Sequence, residues 1–125
     1  MTKRRRRVVL VLRRDGEWIA ACESVLRQIG IDSVEVHNCW ASEVARELHD
    51  GDAVVIDGHL LCEFVSVDRP GPVLGIGPKV PVLVFNAEAL DEQRRAAAMA
   101  HNTLMLEGDD FSEIARRVEA MLPLG

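Results

Sequence analysis

The chain has 125 residues, a length that points to one domain. It is 48% hydrophobic and 28% charged, as globular proteins are, with a formal net charge of −5. No apolar run approaches the roughly 18 residues of a membrane span, and no small-residue cleavage site follows the basic start, so the expected location is the cytoplasm.

Charge comes first in chain order. Lys3 to Arg7 are five consecutive cations. Setting them aside leaves ten Lys and Arg against 20 acids, a net of −10 for the body. Such a body repels nucleic acid, so direct nucleic-acid binding is not expected, although the basic start is able to touch phosphate. Residues 1–7 read as a basic, solvated arm and residues 8–123 as the folded domain.

Val8 to Leu12 form the first predicted strand. A helix follows from about Gly16 to Ile29, with Ile19, Cys22, Leu26 and Ile29 on one face and Gly30 as its C-terminal stop. The second strand covers about Ser33 to Val36. A short helix covers about Ala41 to Leu48, with Val44, Ala45 and Leu48 inward, and Asp50-Gly51 closes it. The third strand is Ala53 to Ile56. Between Glu63 and Lys79, three prolines and three glycines exclude a long helix, so the third helix is short or replaced by loop, at most a turn or two within Leu60 to Val67. The fourth strand is Val80 to Phe85, the fourth helix about Leu90 to His101, and the fifth strand Thr103 to Leu106. A fifth helix starts at Asp110 with Glu113 three residues on, a capping-box spacing. Phe111, Ile114, Ala115, Val118 and Leu122 line its inner face.

Alternating strands and helices, with continuous Val/Ile/Leu runs in the strands, predict an α/β fold with helices on both faces of a parallel sheet. In such folds the carboxyl ends of the strands form the site. Here Val54-Val55-Ile56 ends in Asp57, whereas the first strand ends in Arg13 and Arg14. One acid beside two guanidiniums is not the donor set of a divalent cation, so no metal and no cofactor is expected.

These residues resemble a receiver domain of two-component response regulators, over nearly the whole chain. The spacing from Arg13-Arg14 to Gly30 is similar to that from the family's acidic pair to the glycine ending its first helix. Val54-Val55-Ile56-Asp57 resembles the strand that ends in the phospho-accepting aspartate. Pro81 to Ala87 resembles the fourth strand, and Leu104 to Gly108 falls where the family has a strand ending in Lys-Pro. The resemblance implies a single doubly wound (βα)5, flavodoxin-like domain with a five-stranded parallel sheet in order 2-1-3-4-5.

The departures bear on function. In the family, two acids and the aspartate hold Mg²⁺, which neutralises charge on the phosphoryl group in transfer. Here Arg13 and Arg14 stand in place of both acids, Asn86 in place of the switch hydroxyl, Leu104 in place of the switch aromatic, and Glu107 in place of the lysine. Only Asp57 is kept. An arginine within about 4 Å of it would contribute several kcal/mol at an effective dielectric of about 20, before desolvation costs. That pairing, by Arg13 or Arg14, would make Asp57 a poor nucleophile and hold the domain in one conformation; the other reading leaves both arginines in solvent with Asp57 as a loop cap.

The expected function is therefore a non-catalytic signalling domain, a pseudo-receiver, contacting a protein partner or a fused effector domain. Asp91, Arg94 and Arg95 on the fourth helix and Glu113, Arg116 and Arg117 on the fifth, with the fifth strand between, form the candidate interface, suited to a homodimer. The same charges also suit a plain solvated surface. Two alternatives come from other classes. One is a phospho-acceptor in which Asp15 or Glu17 recruits Mg²⁺. The other is a sensor that uses Arg13, Arg14 and the Gly/Pro loop to bind an anion such as a nucleotide. His37, Cys39, His59 and Cys62 have spacings too loose for a structural zinc site, and reduced thiols are expected at Cys22, Cys39 and Cys62. Trp18 and Trp40 fall near helix starts; Trp40 reads either as a partner anchor or as a partly buried ring.

Overall fold

The structure is a computed structural model, and it describes residues 6–49, 51–63, 80–99 and 103–122. The strands are β1 (Arg7–Val11), β2 (Ser33–His37), β3 (Asp52–Asp57), β4 (Val82–Phe85) and β5 (Thr103–Met105). The helices are α1 (Gly16–Gln28), α2 (Ser42–Arg46), α3 (Gly58–Leu61), α4 (Glu92–Ala98) and α5 (Phe111–Met121), with a 3₁₀ turn at Ala87–Ala89. All strand pairs are parallel and the order is β2-β1-β3-β4-β5. This is the doubly wound, flavodoxin-like (βα)5 architecture.

Strand alternation builds two half-cores. Val8, Leu10 and Leu12 pack with Val55, Phe85 and the inner faces of α1 and α5. Val9, Val11, Val54 and Ile56 pack on the other face with Val44 of α2, Leu60 and Leu61 of α3, and Ala97 of α4. Every residue of β3 is buried, which explains its unbroken apolar run. Trp40 packs against the second half-core.

Element ends follow local chemistry. Asp15 caps α1 by accepting from the Trp18 N–H at 2.8 Å. Gly30, at φ +93°, ends that helix; the Ile31 N–H donates to Leu26 O and the Gly30 N–H to Arg27 O, the double bond of a Schellman stop. β4 begins at Val82, not Val80, because Pro81 has no N–H to give and offers only its carbonyl, to Val54 N–H. Asp91 caps α4 two residues later than expected, and the chain is already extended at Met99. Asp110 caps α5 through the Ser112 and Glu113 N–H groups. The Glu113 carboxylate pairs with Arg116 and Arg117.

Two expectations need correction. The third helix is short, as anticipated, but it lies at Gly58–Leu61, started by Asp57 as its cap; the rest of the stretch, residues 64–79, lies outside the described residues. The basic run is not a free arm as far as residue 7. Residues 1–5 lie outside the described residues, but Arg6 is 8% exposed and Arg7 belongs to β1. The Arg6 guanidinium donates to Gly30 O at 3.2 Å and Leu122 O at 3.4 Å, the carbonyls that close α1 and α5. There the negative ends of two helix dipoles compensate a buried cation. Arg7 donates to both oxygens of Asp52, at 2.8 and 3.3 Å, which raises its already high pKa.

Burial separates the three free thiols. Cys22 is 1% exposed and burial pushes its pKa up to about 11, whereas Cys39 is exposed and Cys62 half-buried. At pH 8, Ellman's reagent should titrate Cys39 and Cys62 in the native protein and reach Cys22 only after denaturation. A native stoichiometry of three fast thiols would contradict this packing.

Candidate functional site

The site lies at the carboxyl ends of β1, β3 and β4. Asp57, the last residue of β3, is 5% exposed. Its Oδ1 accepts from the His59 backbone N–H at 2.9 Å and from the Asn86 Nδ2 at 3.2 Å. Its Oδ2 lies 3.8 Å from the Arg14 Nε. That separation is an ion pair but too long for a hydrogen bond.

Arg14 is held from three sides. Its Nη2 donates to Asp109 Oδ2 at 2.5 Å, its guanidinium carbon sits 4.9 Å from the Trp18 ring centroid, and Asp57 lies beneath it. Trp18 in turn stacks on Phe85 at 5.6 Å and meets Phe111 at 5.0 Å. The guanidinium is thus shared between two carboxylates over an aromatic floor. At 3.8 Å and an effective dielectric of about 20, the Asp57 pair alone represents on the order of 4 kcal/mol before desolvation costs.

Arg13 goes elsewhere. Its Nε donates to Asn38 O and its Nη1 to Glu63 Oε1, both at 3.1 Å, and its side chain is 57% exposed. The two arginines therefore do not converge: Arg14 faces Asp57, and Arg13 clips the loop after β2 to the end of α3.

Asn86 supplies backbone geometry as well as an amide. It is buried at φ 53°, a left-handed conformation that asparagine tolerates better than most residues. Its own N–H donates to Gly108 O at 2.9 Å, which fixes the turn after β4 against the turn after β5. Gly108 N–H donates to the Glu88 carboxylate at 3.0 Å, and this bond chiefly holds Glu88 below the usual carboxylate range.

The remaining candidates are dispersed. Glu107 is 78% exposed and 3.8 Å from Arg95, away from Asp57. Leu104 is 38% exposed on β5. Asp15 spends its carboxylate on capping α1, and Glu17 is exposed in the first turn. Arg94 pairs with Asp91 on its own helix, and Arg116 and Arg117 both pair with Glu113 on theirs. Arg95 turns inward to Ala87 O and Leu90 O. Arg94, Arg116 and Arg117 are thus satisfied locally, whereas Arg95 bonds outside its helix; among the described residues, Met99 and Leu104 are the exposed large apolar side chains at the end of α4 and on β5.

Among the described residues no three His, Cys, Asp or Glu side chains come together in a way that would hold a metal ion. His37 instead approaches Glu35, and Cys62 donates to the His59 carbonyl. No helix of the described residues is long and apolar enough to cross a membrane. Sequence reasoning missed Asp109 as the second partner of Arg14, and the Trp18 floor. No family model, no curated protein and no solved structure matches the chain.

Proposed function

We propose that the chain is a pseudo-receiver, a signalling domain that acts through protein contacts without Mg²⁺-dependent phosphorylation of Asp57. The observation that carries this reading is the guanidinium of Arg14 between Asp57 and Asp109. A metal-assisted phosphoryl transfer needs a cation beside the accepting carboxylate. Here a fixed organic cation occupies that side of Asp57, and it cannot ligate. The other carboxylate oxygen is engaged by His59 and Asn86.

The anion-sensing alternative draws less support. Arg14 is already neutralised by two carboxylates, and Arg13 turns to a carbonyl and to Glu63. Among the described residues no shared cradle for an anion results; the Gly/Pro loop of that alternative lies outside them. The exposed Met99 and Leu104 favour the β5 side as the surface for a protein partner or a fused effector domain, with the cytoplasm as its setting.

Beryllofluoride with Mg²⁺ tests the reading. The melting temperature should move by less than about 1 °C, since a ligand that does not bind the native state gives no linkage. A shift of several degrees that requires Mg²⁺ would make the chain a working phospho-acceptor. A shift with phosphate-bearing ligands in EDTA would favour the sensor.

A further inference from the structure

One edge of the Arg14 guanidinium is divided between two carboxylates. Its Nη2 donates to Asp109 Oδ2 at 2.5 Å, while its Nε stands 3.8 Å from Asp57 Oδ2. Nε and Nη2 together form the edge that grips a single carboxylate side-on with two parallel bonds. Here neither carboxylate receives that grip. Asp57 Oδ1 is engaged by His59 and Asn86, but among the described residues Oδ2 accepts no hydrogen bond.

The two partners compete on different terms. The Asp109 side chain is 42% exposed, so water and salt screen its pair with Arg14. The Asp57 side chain is 6% exposed, so its pair is screened less. Geometry favours the first partner and environment the second. A shift of the guanidinium by about 1 Å over the Trp18 ring converts the Asp57 ion pair into a charge-assisted hydrogen bond. Asp109 is itself placed by its neighbours: Gly108 O accepts from the Asn86 N–H, and Asp110 caps α5. The turn therefore keeps its path without the Asp109 carboxylate.

We propose that Arg14 is a two-position latch. Asp109 holds it off Asp57, and loss of that hold closes the whole Nε–Nη2 edge onto Asp57. Asp109 is the reachable end, so the latch is worked from the turn between β5 and α5. Its state is felt at the buried carboxylate and at the His59 N–H that this carboxylate caps. The latch rests on the Arg14–Asp57 pair that carries the pseudo-receiver reading, and it gives the surface a way to act on Asp57.

A double-mutant cycle by urea unfolding tests it, together with NMR of the Arg14 side chain. Asp57→Asn should lower the folding equilibrium constant at least about threefold more in an Asp109→Ala chain than in the wild type, because Arg14 then belongs to Asp57 alone. In an Arg14→Met background the same cycle should be additive to within about twofold, whereas direct repulsion between the two carboxylates would leave the coupling in place. In Asp109→Ala, the Arg14 Nε–H should be protected from hydrogen exchange at least about tenfold over the wild type. This readout serves even if Arg14→Met does not fold. Additive costs with Arg14 present, a coupling that survives Arg14→Met, or an unprotected Nε–H overturns the latch. These measurements use neither Mg²⁺ nor a phosphoryl mimic. An additive cycle therefore sinks the latch and leaves the beryllofluoride result standing, while a Mg²⁺-dependent melting shift sinks the pseudo-receiver and leaves the coupling standing.

Discussion

Replacing Gly58 by alanine should destabilise the fold by about 3 kcal/mol, the upper end of overpacking costs. A Cβ there would lie 2.3 Å from Asn86 O, 2.9 Å from Asn86 C and 3.0 Å from Phe85 O. All three are main-chain atoms, so no side chain can swing away. The main chain that they belong to is pinned as well: the Asn86 N–H is bonded to Gly108 O and the Ala87 N–H to Leu106 O. Relief must come from lifting α3 off the sheet, which uncovers Leu60 and Leu61. Urea unfolding gives the measurement, and the melting temperature should fall by about 10 °C. Gly16→Ala is the matched control. Nothing lies within 4 Å of a Cβ there, and its effect should stay within about 0.5 kcal/mol. Equal costs for the two variants would refute the close packing of α3 on the end of β4.

The second large effect is expected at Asp57. Asp57→Ala removes the cap of α3, worth about 1 kcal/mol. It also strips the buried Asn86 amide of its acceptor, at about 1–3 kcal/mol, and it removes one of the two carboxylates facing Arg14. The combined loss should be about 2–4 kcal/mol by urea unfolding. Asp57→Asn keeps an acceptor for His59 and Asn86 but deletes the charge, so it should cost about half as much. The difference between the two variants separates hydrogen bonding from the ion pair. A loss under about 0.5 kcal/mol for Asp57→Ala would mean that Asp57 is not bound into the fold, and the pseudo-receiver reading would lose its physical basis.

The central sheet was legible in the sequence because β1, β3 and β4 are covered on both faces, and double coverage writes itself as continuous Val, Ile and Leu. The Gly30 stop and the Asp110 cap were legible because both are local chemistry. Less could be read where a partner is distant in the chain. Nothing near Arg6 tells that Gly30 and Leu122 will close over it, so a run of five cations looks solvated throughout.

Strand alternation alone distinguishes Arg13 from Arg14 as the partner of Asp57. Leu10 and Leu12 face the α1 and α5 side, as do Ala53 and Val55. Strand alternation carries Arg14 and Asp57 onto that same side and sends Arg13 to the other. Asp109 had no such signal, because it lies in a loop beyond β5 whose path depends on tertiary contacts.

The sheet is also a partition, and Asp57 is stitched to both sides of it. One oxygen holds the start of α3, which belongs to the half-core of Val9 and Ile56; the other faces the cation resting on Trp18, which belongs to the half-core of Leu10 and Phe85. Whatever tugs on α3 from outside therefore disturbs the charge above that indole. With Trp40 replaced by phenylalanine, the emission of Trp18 becomes a built-in optical gauge of events on the far side of the sheet.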